Sequence, residues 1–380
     1  MKIKFLKYVW LLFVLCAFGC QQKLPKDHKK FAENTNLIHY AKGFALFKFK
    51  DYSILKIKDP WPNAEKEFVY LLKKKQAVIP DSLKGLPNVT IPLQSVVVTS
   101  TTHIPSLEML GVENTITGFP HTDYISSVRT RKLVDSGKIT EVGTEQNLNI
   151  ERLIELNPNA IVAHGIDNNN PTLDNLQKSG LKIIFNGDWN ETSSMGKAEW
   201  IKFFGALYDQ DEKAEQIFNL IVANYKAAAK LVKGAKVKPT VFSGAIFQNQ
   251  WYMPQGNSWA ASFLRDAQGN YLWNDTTGTG SLSLTFESVF LKAGNADFWI
   301  GPGQFNSLEE LAAANTHYAQ FKAFQTKNVY SYSTKTGRKG GLIYFELAPN
   351  RPDLVLKDMI KILHPELLPN YQLHFFEKLQ

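Results

Sequence analysis

Glu151-Arg-Leu-Ile-Glu-Leu-Asn-Pro-Asn-Ala-Ile-Val-Ala-His-Gly165 returns later in the chain as Glu287-Ser-Val-Phe-Leu-Lys-Ala-Gly-Asn-Ala-Asp-Phe-Trp-Ile-Gly301. In each copy a glutamate opens a short helix, and Pro158 or Gly294 stops it. An Asn-Ala pair follows (Asn159-Ala160 and Asn295-Ala296), then an apolar strand, then a glycine. Each copy reads as the helix-to-strand half of a βαβ unit, so the chain carries two α/β lobes of related build. A cleft between two such lobes is a natural binding site, and the matched glutamates point to something that touches both lobes.

The rest of the chain fits around this repeat. Its 380 residues are 44% hydrophobic, enough for two cores. Residues 1–19 read as a secretion signal: Lys2, Lys4 and Lys7, then an apolar run from Tyr8 to Phe18 that is too short to span a bilayer. Cys20 follows Ala17-Phe18-Gly19, in the manner of the acylated cysteine of bacterial lipoproteins. Cys16 leaves with the signal and Cys20 carries lipid, so the mature chain has no thiol for disulfides, catalysis or metal binding. Removal of the three signal lysines takes the charge from +8 (43 basic, 35 acidic) to +5 (40 against 35). That surplus is dispersed and calls for no nucleic acid. The expected location is the periplasmic side of a bacterial membrane or the cell surface, held by the lipid, with the protein a monomer.

Residues 20–36 are polar and lysine-rich, a flexible tether. The first lobe is expected over 37–195 and opens with an antiparallel hairpin, Gly43 to Lys50 and Ser53 to Lys58, with Phe68 to Lys73 as a third strand. Pro60-Trp61-Pro62 forces an extended bend between them. Strands then alternate with helices: Gln94 to His103, Ile116 to His121, Ala160 to His164 and Leu181 to Phe185 are strands, which implies a parallel sheet. A connecting helical segment over 196–234 contains the longest regular element, from Asp209 to Lys233. There Ala214, Ile217, Phe218, Ile221, Tyr225, Ala228 and Val232 form one apolar stripe, and Asp209 with Glu212 reads as a capping box. Such a helix runs roughly 35 Å. The second lobe, over 235–380, has strands at Thr240 to Ser243 and Val329 to Tyr332, and helices at Ser258 to Asp266 and Pro352 to Leu363. The fold class is therefore α/β: two lobes with central parallel sheets, one long rigid connecting helix, and an N-terminal hairpin added to the first lobe.

From about Gln94 to about Leu363, these elements in this order resemble the substrate-binding proteins of ABC importers for cobalamin, haem and ferric siderophores. The resemblance rests on Val96-Val97-Val98 with its Ser/Thr exit, on Leu107 to Leu110 followed by Gly111, and on Asn149 to Ala160. It rests also on the long helix, on Lys238-Pro239-Thr240-Val241, and on Phe286-Glu287-Ser-Val-Phe-Leu. The segment before Gln94 is longer than the family usually carries. The resemblance implies that one glutamate per lobe, Glu151 and Glu287, meets arginines of an ABC permease. It also implies small lobe movements about a rigid helix.

In open parallel sheets ligands lie beyond the carboxyl ends of the strands. Those ends carry Thr101, Thr102, His103, His121, His164 and Trp189 in the first lobe, with Tyr124 just beyond. In the second lobe they carry Trp251, Tyr252, Trp299, Arg338 and Tyr344. Aromatic residues on both lobes suit a large flat ligand, and Arg338 suits an anionic chelate. An iron chelate (siderophore or haem) or cobalamin is the expected cargo, with no resident cofactor. His103, His121 and His164 each end a strand of one lobe, so a zinc or manganese carrier is an alternative. Asp123, Asp188, Glu191 and Glu346 leave room for a second, a surface glycan-active enzyme. No nucleophile elbow, Walker loop, zinc-protease motif or dinucleotide fingerprint occurs, and no enzyme is expected.

Overall fold

A computed structural model describes residues 35–144, 147–165 and 167–380. The expected secretion signal and the expected lipid site, Cys20, lie outside the described residues. Three antiparallel strands come first, β1 (Phe44–Lys48), β2 (Tyr52–Ile57) and β3 (Phe68–Lys74), and β4 (Asn88–Ile91) joins β3 in parallel. The expected hairpin and third strand are thus part of a four-stranded sheet. Its inner face, with Phe44, Leu55 and Leu72 fully buried, packs into the same core as the sheet that follows.

That second sheet alternates strictly with helices. Its elements are β5 (Val96–Val98), α1 (His103–Leu110), β6 (Ile116–Phe119), α2 (Val128–Asp135), β7 (Thr140–Glu141) and α3 (Ile150–Leu156), then β8 (Ala160–Ala163), α4 (Pro171–Lys178) and β9 (Ile183–Phe185). All five strands run parallel in the order β7-β6-β5-β8-β9. The central strands Val96–Val98 and Ala160–Ala163 are covered on both faces, which is why they read as unbroken apolar runs.

Two short helices, α5 (Ser194–Glu199) and α6 (Ile201–Leu207), lead into α7 (Asp211–Val232), about 33 Å long at 1.5 Å per residue. Phe218, Ile221 and Val222 belong to the first hydrophobic core, and Ala228 and Val232 to the second, so one helix is shared by both lobes. The capping box is not formed. Asp209 adopts the left-handed conformation (φ 53°) and its carboxylate pairs with Lys74 at 2.8 Å, while Gln210 precedes the helix without a side-chain cap. The lysine on β3 outcompetes the helix N-terminus for that carboxylate.

The second lobe follows with β10 (Thr240–Ser243), β11 (Ala245–Phe247), β12 (Gln250–Pro254), α8 (Trp259–Asp266), β13 (Asn270–Tyr271), β14 (Ser281–Leu284), α9 (Phe286–Ala293) and β15 (Phe298–Ile300). It closes with α10 (Leu308–Ala314), α11 (Lys322–Gln325), β16 (Val329–Ser331), α12 (Ile343–Leu347), α13 (Pro352–Leu363) and β17 (Glu377–Lys378). The main sheet has the order β13-β10-β15-β16-β17, parallel except for the last pair. A smaller antiparallel sheet, β11-β12-β14, stands beside it. The two copies of the repeat fold alike. Asn149 and Thr285 cap α3 and α9 by accepting from Arg152 N and Ser288 N, and each copy ends in a strand of its lobe's main sheet.

The lobes also touch away from α7. Glu346 on α12 accepts the backbone N–H groups of Ser126 (2.7 Å) and Ser127 (2.9 Å) ahead of α2. Asn350 accepts from Ser106 Oγ (2.7 Å) and donates to the Thr102 carbonyl (2.8 Å). Gly341 lies against the Tyr124 backbone so closely that a Cβ there would collide with the Tyr124 carbonyl.

Candidate functional site

A deep concavity lies at the carboxyl ends of the second lobe's parallel strands. There β10 ends at Ser243, β15 at Ile300 before Gly301, and β16 at Ser331 before Tyr332. The hairpin of β11 and β12 forms one wall, with its turn at Gln248-Asn249, both in the left-handed conformation that a tight hairpin turn demands. Helices α8, α12 and α13 form the other, with Trp259, Tyr344 and Met359 facing inward. The enclosed space is about 740 Å³, within the range of small-molecule sites. Phe247, Tyr252 and Phe345 stand at its rim, 65%, 41% and 48% exposed. Tyr332 and Tyr344 stack in its wall with ring centres 4.9 Å apart. Burial pushes both phenols above their ordinary range, so they are neutral donors at physiological pH.

Three expected contacts are placed elsewhere. Trp251 and Trp299 are fully buried at the centre of the second core, stacked with Phe242 and Phe321 around them. Their indole N–H groups are satisfied by the carbonyls of Ser243 (2.9 Å) and Gly244 (2.8 Å). Arg338 does not face the pocket either, because its guanidinium bonds Asp135 of the first lobe at 2.5 Å. Tyr252 and Tyr344 do line the pocket.

The first-lobe strand ends are more covered than the alternation of strands and helices suggests. The Pro60-Trp61 bend of the N-terminal extension lies over them: Trp61 packs on Gly165 and Phe185, and Pro60 on Gly187. Trp61 Nε1 donates to Asn168 at 2.8 Å, which pins the bend. Trp189 stays 39% exposed and donates its Nε1 to the Gly165 carbonyl. Thr101 and Thr102 are half-buried, and the Thr102 carbonyl is taken by Asn350. Tyr124 is 55% exposed, with the His121 ring edge-on against it at 5.1 Å.

The three histidines form no metal-holding group among the described residues, although His164 lies near enough to His103 to lower its pKa. His103 is fully buried at the start of α1, its ring 5.5 Å from that of Phe204, with no hydrogen-bond partner for either nitrogen among the described residues. Burial drives its pKa down to about 4, against a smaller upward pull from Asp188. His164 Nδ1 bonds Thr99 Oγ1 at 3.1 Å, and His121 is a left-handed residue on a separate turn. Among the described residues no three His, Cys, Asp or Glu side chains come together to hold a metal ion. Of the four carboxylates considered for glycan chemistry three are engaged, while Asp188 Oδ1 is buried without a hydrogen-bond partner among the described residues. Glu191 takes the N–H groups of Lys42 and Gly43 at 2.7 Å, Glu346 ties the lobes, and Asp123 faces Arg131 at 3.8 Å.

Sequence reading missed three members of this neighbourhood. Trp259 lines the pocket, and its indole Nε1 is buried without a partner among the described residues. Tyr332 was read only as the end of a strand. Lys197, on α5, donates to the carbonyls of Asp188 (3.0 Å) and Trp189 (2.8 Å) and lies 5.9 Å from the Trp259 ring centre, so the first lobe reaches the pocket mouth. Trp259 directly after the helix cap Ser258 was the available signal, since a bulky ring at a helix start faces the strand-end side of the sheet.

The docking candidates are both exposed, in the first turns of α3 and α9. Exposed apolar residues follow each one turn on, Ile154 (48%) and Leu291 (90%).

An uncharacterized lipoprotein of Methanocaldococcus jannaschii is 27% identical over 371 residues, covering 92% of this chain and 84% of its own length. The vitamin B12-binding protein of Salmonella typhi is 29% identical over 109 residues, 28% of this chain and 39% of that protein. Among solved structures, a possible iron-binding periplasmic solute-binding protein from Staphylococcus epidermidis superposes with a TM-score of 0.55 at 20% identity, over 72% of this chain and 99% of that one. A periplasmic heme-binding protein from Pseudomonas aeruginosa gives 0.56 at 14%, over 72% and 93%. Among the described residues no helix is long and apolar enough to cross a membrane. The sequence pattern of the periplasmic binding proteins matches residues 96–336, from the first strand of the parallel sheet to the loop before α12, and the chain belongs to that family.

Proposed function

We propose that the protein is the solute-binding component of an ABC importer, tethered by lipid on Cys20. It captures an iron chelate, haem or cobalamin beside the inter-lobe contact and delivers it to a permease that reads Glu151 and Glu287. The observation that carries this reading is the aromatic-rimmed pocket of about 740 Å³ at the strand ends of the second lobe, with Lys197 of the first lobe at its mouth. Relatives named for iron, haem and vitamin B12 support the cargo class. Two exposed carboxylates on separate lobes give a permease two points of charge to read, and Arg–carboxylate pairs fix orientation as well as affinity.

The test is titration of the purified protein with haem, cobalamin and a ferric siderophore, followed by absorbance. A saturable shift with one of them at micromolar concentration is expected. Absence of binding to all three would remove this cargo class.

A further inference from the structure

Resting on that solute-capture reading, we infer that the second-lobe pocket receives the uncharged, flat, conjugated part of its cargo, with Trp259 Nε1 as the donor that orients it.

The lining decides the charge. Among the described residues no Asp, Glu, Lys, Arg or His belongs to it. Its polar side chains are hydroxyls, the amide of Gln304 and the indole of Trp259, and burial keeps the phenols of Tyr332 and Tyr344 neutral. A buried anion without a paired cation costs several kcal/mol, far more than ring stacking returns. Lys197, whose ammonium lies 5.9 Å from the Trp259 ring centre, is not part of the lining and already donates to two carbonyls. A trianionic tris-catecholate chelate, or the carboxylate end of a tetrapyrrole, would therefore enter against a large desolvation cost.

The shape decides the rest. Tyr332 and Tyr344 form a stacked pair in the wall, Trp259 lies 5.8 Å from Tyr344, and Phe247, Tyr252 and Phe345 extend the apolar surface to the rim. Flat rings bury much area against such walls at little entropy cost. Trp259 Nε1 is the one buried side-chain donor of the lining left without a partner among the described residues. A buried indole N–H is normally bonded, and leaving that bond unmade carries a desolvation cost. An acceptor on the ring, a carbonyl or a ring nitrogen, completes it.

The experiment compares ligands that share one ring and differ in charge: protoporphyrin IX dimethyl ester and protoporphyrin IX diacid, with a ferric tris-catecholate as the trianionic probe. Absorbance titration of the full chain should give a Kd for the diester at least tenfold below that of the diacid, with the trianion weakest. Trp259→Phe, which keeps the ring and removes the donor, should weaken diester binding about five- to tenfold while the thermal midpoint stays put. Equal or tighter binding of the diacid or the trianion overturns the inference and leaves solute capture standing. Failure of every probe to bind sinks both. Unchanged diester affinity in Trp259→Phe removes the donor assignment.

Discussion

The carboxylate of Glu346 accepts the backbone N–H of Ser126 at 2.7 Å, and that bond crosses from the second lobe to the first. Ser127 N bonds the other oxygen at 2.9 Å, so one side chain on α12 satisfies both N–H groups ahead of α2. Burial is the larger influence and pushes its pKa up to about 7, against the downward pull of those two bonds. On the first lobe, His103 is shifted the opposite way, down to about 4.

The two shifts have opposite consequences for stability. For Glu346 the folded state holds its proton more tightly than the unfolded chain does. Its contribution is therefore complete below pH 4.5 and is lost as pH rises through about 7, roughly 3 kcal/mol in all. For His103 the folded state binds the proton less tightly, so its contribution is complete above pH 6.5 and is lost as pH falls through about 4, again roughly 3 kcal/mol. Between pH 4.5 and 6.5 the two slopes cancel. Urea unfolding across that window should show Glu346→Gln losing stability toward acid relative to the parent, and His103→Leu losing it toward neutral pH. Parallel curves for parent and variants would refute the assignment.

Glu151→Arg combined with Glu287→Arg should abolish uptake in a transport assay with the cognate permease and leave ligand affinity unchanged. Both carboxylates are exposed and remote from the second-lobe pocket lining, so folding and capture have no stake in them. Transport that survives the double change would end the docking assignment.

Arg338→Ala should leave ligand affinity within twofold. Its partner is Asp135, and side-chain exposures of 65% and 38% place the pair in solvent-screened surroundings. The stability loss, read by thermal unfolding, should stay below about 1 kcal/mol. A large loss of affinity would return Arg338 to the ligand site.

Trp299→Ala and Tyr252→Ala separate core from rim. The first opens a cavity among stacked rings and should cost about 3–5 kcal/mol in chemical denaturation. The second removes a rim side chain 41% exposed, changes stability by no more than about 0.5 kcal/mol, and should weaken ligand binding several-fold.

How these aromatics sort themselves explains what was legible in the chain. Trp251 and Tyr252 are neighbours on β12, so their side chains leave opposite faces of the strand. Composition places both near a strand end, but only the pairing of β12 with β11 and β14 determines which one enters the core. Trp61 is the same kind of case. Its two prolines announced a bend, yet nothing local placed that bend over Gly165, more than a hundred residues away in sequence. Lys197 and Trp259 likewise meet across the lobes, a contact without a sequence pattern.

What the chain determines by itself is local and periodic. The paired Glu-helix-strand units, the apolar stripe of α7 and the unbroken apolar strands follow from capping chemistry and from the 3.6- and 2-residue repeats. These are enough for two parallel-sheet lobes on one helix. Tertiary structure alone decided which strand ends stay open. The extension covers those of the first lobe, the β11–β12 hairpin walls those of the second, and Glu346 with Asn350 draws the lobes together beside the pocket. The physical reason is that accessibility and pairing are properties of distant segments brought into contact, and one segment's residue types carry no record of what will lie on top of it.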